Sequence, residues 1–307
     1  MNILVTGATG FVGSALTRRL SAEGREVHVM VRQGADLRRI AGLPGVILHE
    51  GDLRDAGWVI KVVTGIHPRV VYHCAVYGGF SFQEDRRAIF DTNLIGTVNL
   101  LQACEQVGFD RFVNTGSSSE YGIKDTPMRE SDLPEPRGDY GVAKCAATLY
   151  CRSEGLLKGL PIVNIRLFSP YGPWDAPRRF IPAAIRTLLA GKTLVLSTPH
   201  AVRDYLYIDD VVDLYRLATG RSLPPGEILN CGSGQQVSIS EVAECICEIT
   251  GGPRPVFGDD EPRRTEPEHW VADIDKAREL LGWTPQFGLA DGLSRTVAWM
   301  REHPDFL

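Results

Sequence analysis

The sequence predicts an α/β protein: a doubly wound parallel sheet over residues 1–168, then a smaller α/β unit over 169–307 from which a strand near 228–230 returns to the main sheet. Three observations carry this. Short apolar runs rich in β-branched residues recur at 2–6, 27–31, 46–49, 70–75, 111–115 and 160–168, with helix-spaced apolar segments between them. A glycine-rich turn, Gly7-Ala8-Thr9-Gly10-Phe11-Val12-Gly13, joins the first run to the first helical segment at 14–23. The run 70–75 lacks polar alternation, which suits a central strand covered on both faces.

Size and charge narrow the function classes. A chain of 307 residues, 43% hydrophobic and 23% charged, can bury a large core plus a smaller one. A net charge of -5 without a Lys/Arg cluster argues against nucleic acid and against a membrane surface. No apolar stretch approaches the ~20 residues of a membrane span. The first β-run begins at Asn2, leaving no room for a signal peptide, so the expected location is cytoplasmic. Seven cysteines without a Cys-x-x-Cys pair predict buried free thiols and no metal site.

A strand, a glycine turn and a helix in succession form a dinucleotide-binding unit. The glycines let backbone N–H groups approach a pyrophosphate, and the helix dipole favours its charge. At the end of the second run an NAD site would place a carboxylate for the ribose 2′-hydroxyl, but this chain has Val31-Arg32-Gln33. Arg32, helped by Arg38 or Arg39, can pair with a 2′-phosphate, so NADP(H) is the expected cofactor. Arg32 as a plain exposed residue, with NAD(H) bound, is the alternative.

Tyr140 and Lys144 stand one helical turn apart and so project from one face. Free tyrosine titrates near pH ~10, and proton exchange near neutrality needs about 4 kcal/mol of help. An ammonium ~5 Å away at an effective dielectric of ~20 supplies roughly 3 kcal/mol. Alone, the pair reads as a solvated helix face. The spacing Gly7-x-x-Gly10-x-x-Gly13, with Thr6 before it and Tyr140 and Lys144 after it, resembles the short-chain dehydrogenase/reductase superfamily, in its extended branch acting on nucleotide sugars. The resemblance covers essentially the whole chain and implies the Rossmann fold.

The resemblance also implies roles. Thr6, Gly7, Gly10, Phe11, Val12 and Gly13 would cradle the cofactor. Asp52 would meet the adenine amino group and Leu53 its ring, with a helix N-cap as the other reading of Asp52. The loop from Ala75 through Tyr77 to Ser81 would pass beneath cofactor and substrate, or be a surface loop. Asn93, on the amphipathic segment 92–101, matches a supporting position near the site, and that helix would join the Tyr140 helix in a homodimer. Ser117, four residues before Tyr121, matches the catalytic Ser/Thr. Ser118 and Ser119 stand where 4,6-dehydratases need an Asp-Glu pair, and Glu120 lies one place too late. Ser169 replaces the usual Asn at the substrate diphosphate. Arg203 would grip that diphosphate, or pair with Asp204, and Arg263 or Arg264 would add a second contact. The segment 273–285 matches a closing signature with no catalytic role.

The expectation is therefore an enzyme acting on a nucleotide-diphosphate sugar. The segments Gly116-Ser117-Ser118-Ser119-Glu120-Tyr121-Gly122 and Ala201-Val202-Arg203-Asp204 resemble nucleotide-4-keto-6-deoxysugar reductases. With Arg32 they favour NADPH-dependent reduction of a 4-keto-6-deoxyhexose. An NAD-dependent 4-epimerase using the same Ser117, Tyr140 and Lys144 is the alternative. A non-catalytic NADP(H)-sensing module is the remote one.

Overall fold

The computed structural model describes residues 2–80, 82–258 and 267–306. Seven parallel strands make the sheet: β1 (Ile3–Thr6), β2 (Val27–Val31), β3 (Val46–Glu50), β4 (Val70–His73), β5 (Arg111–Ser117) and β6 (Ile162–Leu167), with β11 (Glu227–Cys231). Their order is β3-β2-β1-β4-β5-β6-β11. The order reverses between β1 and β4, and their C-terminal ends open the crevice where ligands of doubly wound sheets bind. Residues 227–231 pair in parallel register with 163–167, so the last strand extends the same sheet.

Alternation along each strand splits the core into two layers. Ile3, Val5, Val27, Val29, Val70 and Tyr72 face one side; Leu4, Met30, Val71 and Phe112 face the other. The first layer is closed by α1 (Phe11–Ala22), with Leu16 and Leu20, and by α7 (Ile208–Gly220), with Val211 and Tyr215. The second is closed by α2 (Ala56–Ile66), by α4 (Gly96–Val107) after a short α3 (Arg86–Phe90), and by Cys151 of the long α5 (Gly138–Lys158).

The remaining elements are short. Strand β7 (Ser169–Tyr171) pairs with β10 (Tyr205–Tyr207), β9 (Val202–Arg203) with β12 (Val237–Ser238), and β8 (Val195–Leu196) with β13 (Val256–Phe257). Helices α6 (Phe180–Leu189), α8 (Ile239–Thr250), α9 (Asp275–Leu281) and α10 (Leu289–Glu302) pack around them. Trp283 of the closing segment is buried and donates from Nε1 to the Asp210 carbonyl at 3.2 Å, a packing role.

Two boundaries bear on the site. Strand β5 continues through Ser117, two residues past the run read from sequence, because Gly116 and Ser117 still pair with Arg166 and Leu167. The amphipathic segment around Thr92 opens with a π-helical turn, Asp91–Ile95, before α4. Such turns often mark functional sites, and this one buries Asn93. No helix among the described residues is long and apolar enough to cross a membrane, and no group of three or more His, Cys, Asp or Glu among them could hold a metal.

Candidate active site

The glycine turn is fixed by sterics. Gly7 has φ +69°, and a Cβ there would lie 2.5 Å from the Cys74 carbonyl carbon and 2.6 Å from the Ala75 nitrogen. A Cβ on Gly13 would lie 2.3 Å from the Gly7 oxygen. The turn therefore rests directly on the end of β4, with α1 pressed onto the turn. Gly10 caps α1 without a side chain, and no acid stands in the first turn. A helix start free of acids, behind a cradle that no Cβ may enter, fits the pyrophosphate of a dinucleotide.

Beneath the turn runs a chain of buried hydrogen bonds. Ala75 N–H donates to Thr6 Oγ1 at 3.3 Å, and Thr6 Oγ1 lies 2.7 Å from His73 Nδ1. His73 Nε2 lies 2.8 Å from Thr97 Oγ1, which donates to the Asn93 carbonyl at 2.7 Å. Thr97 has spent its proton, so Nε2 carries the imidazole hydrogen and Nδ1 accepts from Thr6. Burial, and then the charge of Lys144, push His73 down to about 3, and the ring is neutral. The Asn93 carboxamide closes the relay on Tyr77, accepting from its N–H at 3.0 Å and donating to its carbonyl at 2.7 Å. Thr6, Ala75 and Tyr77 are thus parts of one frame. A histidine inside a strand read as wholly buried was the available signal, since buried polar groups need partners.

Ser117, Tyr140 and Lys144 come together at the end of β5. Ser117 Oγ accepts from Ser119 N–H at 3.1 Å, and the Ser117 side chain is close enough to the Tyr140 phenol to lower its pKa. Close approach of α5 depends on Gly141, where a Cβ would meet the Ser119 carbonyl at 2.8 Å. Ser118 is buried and Ser119 half-buried. Burial raises the Tyr140 pKa, while the Ser117 side chain and the charge of Arg179 pull it down. The expected pull of Lys144 on Tyr140 is not among these causes. The buried Lys144 ammonium donates to the Thr115 carbonyl, and burial lowers its pKa against the charge of Glu120.

Glu120 is no spare carboxylate. It is wholly buried and ion-paired to Arg166 at 2.8 Å. Arg179, at the start of α6, is a site residue that sequence reasoning missed, and no spacing announced it. Its Nη2 donates to the Gly79 carbonyl at 3.0 Å, and its guanidinium lies 4.6 Å from the Phe80 ring. Asp175 was missed as well: it is buried and accepts from Ala176 N–H at 2.7 Å, and burial pushes its carboxyl up to about 7 against the charges of Arg179 and Arg39.

On the nucleotide side, Arg32 is exposed just past β2. Its expected helpers are engaged elsewhere: Arg38 pairs with Asp36, and Arg39 donates to the carbonyls of Thr9 and Trp174 at 3.0 and 2.9 Å. Asp52 is held by Arg54 and is not a helix cap; Asp55 caps α2, accepting from Trp58 N–H. Leu53 is buried, and its carbonyl accepts from Asn99. On the substrate side, Ser169 is half-buried and its N–H donates to the Asp204 carbonyl at 3.0 Å. An Arg203–Asp204 pair does not form, because the Asp204 carboxylate accepts from the N–H groups of Ser233, Gly234 and Ala272 and from Ser233 Oγ. Arg203 instead bonds the Val202 carbonyl at 2.6 Å and faces the Trp270 ring. Arg263 and Arg264 lie outside the described residues.

Comparison with known proteins gives a consistent picture. Residues 3–232 match the model of the NAD dependent epimerase/dehydratase family. A UDP-glucose 4-epimerase of Rhizobium meliloti is 33% identical over 94% of each chain. The crystal structure of a UDP-glucose 4-epimerase from Thermotoga maritima, with UDP-glucose, superposes with a TM-score of 0.91 at 27% identity, covering 99% of this chain and 100% of that one. The UDP-glucose 4-epimerase of Thermus thermophilus in complex with NAD gives 0.87 at 30% identity, over 98% and 99% of the two chains.

Proposed function

The chain belongs to the NAD-dependent epimerase/dehydratase family, enzymes that work on nucleotide sugars with a nicotinamide cofactor, and on that premise we propose that it reduces the 4-keto group of a nucleotide-linked 4-keto-6-deoxyhexose with NADPH. The observation that carries this reading is the end of β2. Arg32 stands there exposed where an NAD site would place a carboxylate. Of the acids nearby, Asp36 is paired with Arg38 and Asp52 with Arg54, while Glu50 accepts from Gly34 N–H. The Arg32 guanidinium is the group there that can pair with a 2′-phosphate.

When bound, the nicotinamide supplies the hydride to C4 of the sugar. Tyr140 gives its phenolic proton to the carbonyl oxygen as the alkoxide develops, and burial keeps that proton on Tyr140 until then. Ser117 Oγ orients the same oxygen, and Lys144 brings a fixed positive charge to the cofactor side of the tyrosine. Loss of water elimination follows from residues 118–120: Ser118 and Ser119 offer no acid-base pair, and Glu120 is committed to Arg166.

The test is oxidation of NADPH and of NADH against CDP-, GDP-, dTDP- and UDP-linked 4-keto-6-deoxy sugars, with product stereochemistry read by NMR. The expected result is turnover at least about tenfold more efficient with NADPH. Tyr140→Phe is expected to cut turnover by about 100-fold or more with cofactor affinity little changed. No turnover on any of these sugars, with NADP(H) bound equally by wild type and Tyr140→Phe, would instead fit a module that holds NADP(H) without catalysis.

The second reading, a 4-epimerase, is favoured by the activity named for the Rhizobium relative and by NAD in the Thermus structure. Tightly bound NAD in the purified protein, with a UDP-hexose converted without added cofactor, would replace reduction by epimerisation. A homodimer is part of the proposal. Val142, Leu149 and Leu156 recur every seven residues, exposed on α5, and exposed Ile95 stands at the end of the turn leading into α4. Sedimentation is expected to give twice the chain mass, and Leu149→Lys to halve it.

A further inference from the structure

Glu120 has a place in the site that its register in the sequence hides. Its Oε1 accepts from Ser117 N–H at 2.8 Å and from Thr148 Oγ1 at 2.9 Å, and its Oε2 from Arg166 Nε at 2.8 Å. The Arg166 guanidinium lies 4.4 Å from the Tyr121 ring, and the Tyr121 hydroxyl donates to Asn230 Oδ1 at 2.6 Å, tying the cluster to β11. One wholly buried carboxylate therefore serves β5, α5 and β6 directly behind the proposed catalytic residues.

The surroundings of Lys144 show what that carboxylate adds. Around its ammonium stand the Thr115 carbonyl, His73 from β4, Cys74 just after β4, Cys151 from α5, and Glu120. His73 is neutral. Burial pushes the Cys74 thiol up to about 11 and the Cys151 thiol up to about 12, so both keep their protons near neutrality. Glu120 itself is pushed up by burial, but Arg166, Ser117 N–H and Lys144 all draw it toward the ionised form. Among these described groups, Glu120 alone brings negative charge to a lysine that burial would otherwise discharge.

We propose that Glu120 is a positioning residue: its carboxylate anchors the Ser117 backbone and holds the buried Lys144 as a cation. The proposal rests on the reading that Ser117 and Lys144 act in the reaction, but it is testable without substrate. The measurement is the titration of Lys144 in protein carrying 13C-labelled lysine side chains, its signal assigned by its loss in Lys144→Met. Glu120→Gln keeps an acceptor for Ser117 N–H and Thr148 while removing the charge. It is expected to move the Lys144 midpoint down by about one pH unit or more, a tenfold change in its protonation equilibrium. Glu120→Asp is expected to recover most of that shift.

The basic limb of the pH dependence of kcat is expected to move with the titration. If the titration moves and the pH–rate profile does not, Glu120 sets the charge on Lys144 as proposed, and it is the catalytic assignment of Lys144 that fails. Should Glu120→Gln not fold, Glu120→Gln/Arg166→Met is titrated against Arg166→Met, so that the facing cation is absent from both proteins and their difference isolates the carboxylate. A Lys144 midpoint that stays within about 0.3 units of its reference, wild type for the single variant and Arg166→Met for the double, overturns the proposal.

Discussion

Around β1 and α1 the candidate site is made of backbone, whereas around β5 and α5 it is made of buried side chains that carry charge or share protons. At the first place Gly7, Gly10 and Gly13 bring peptide groups into contact, and nothing at the turn itself titrates. At the second Glu120, Arg166, Lys144 and Ser117 interlock, with two cations sharing one carboxylate. The difference predicts two kinds of fragility. Backbone contact fails when any atom is added, and a charge cluster fails when one member is removed.

The largest effect is expected from Gly13→Ala. Its new Cβ would stand 2.3 Å from a backbone oxygen, and neither α1 nor the turn can move without leaving β4. A loss above about 4 kcal/mol, or failure to fold, is expected in thermal unfolding. A stable Gly13→Ala protein would break the claim that sterics alone set this half.

Arg166→Met probes the other half by subtraction. It leaves Glu120 buried without its paired cation, and urea unfolding is expected to show a loss of about 3–5 kcal/mol. Adding Glu120→Gln should recover most of that loss, because the cost lies in the orphaned charge and not in the missing side chain. Equal losses in the single and double variants would show that packing, not charge, holds this half together.

These two halves also differ in how they could be read. The glycine spacing is a local demand, three residues inside seven, so the turn and the ligand class it suits were visible in the sequence. Tyr140 and Lys144 were visible for the same reason, being one helical turn apart. The charge cluster was not. Glu120 meets Arg166 across 46 residues, and in sequence it looked merely misplaced for a dehydratase. Arg179, whose charge lowers the Tyr140 pKa, was not visible either. Lys144 is drawn to Thr115 and Glu120, while Arg179 reaches Tyr140 by charge from the start of α6, 39 positions away in the chain's own numbering. Helix phase shows which face a residue is on, but a parallel sheet decides which distant residues share that face.

His73 joins the two halves and should show it in pH dependence. Its folded value near 3 lies below the ~6.5 of an unfolded histidine, so the unfolded chain binds its proton first as pH falls. Stability from this group is complete above pH ~6.5 and is lost at about 1.4 kcal/mol per unit as pH falls toward 3. Between pH 7.5 and 5 that amounts to roughly 2 kcal/mol in urea unfolding. His73→Gln keeps one donor and one acceptor for Thr97 and Thr6 but cannot titrate. The difference between wild type and variant should therefore carry that slope, and parallel curves would mean that the relay is not what ties the halves together.

The smallest effect separates two aspartates three residues apart on the nucleotide side. Asp55 caps α2, accepting from Trp58 N–H at 3.0 Å, so Asp55→Ala should cost about 1 kcal/mol and leave cofactor affinity alone. Asp52 is bound to its neighbour Arg54 near the surface, a contact worth about 0–1 kcal/mol, so Asp52→Ala should barely change stability. If Asp52 meets the adenine amino group, as the family resemblance implies, the same change weakens NADPH binding severalfold in a fluorescence titration. Opposite responses at the two positions would show that even the backbone-built half keeps one side chain for its ligand. An Asp52→Ala protein with unaltered affinity would leave that half to backbone and Arg32 alone.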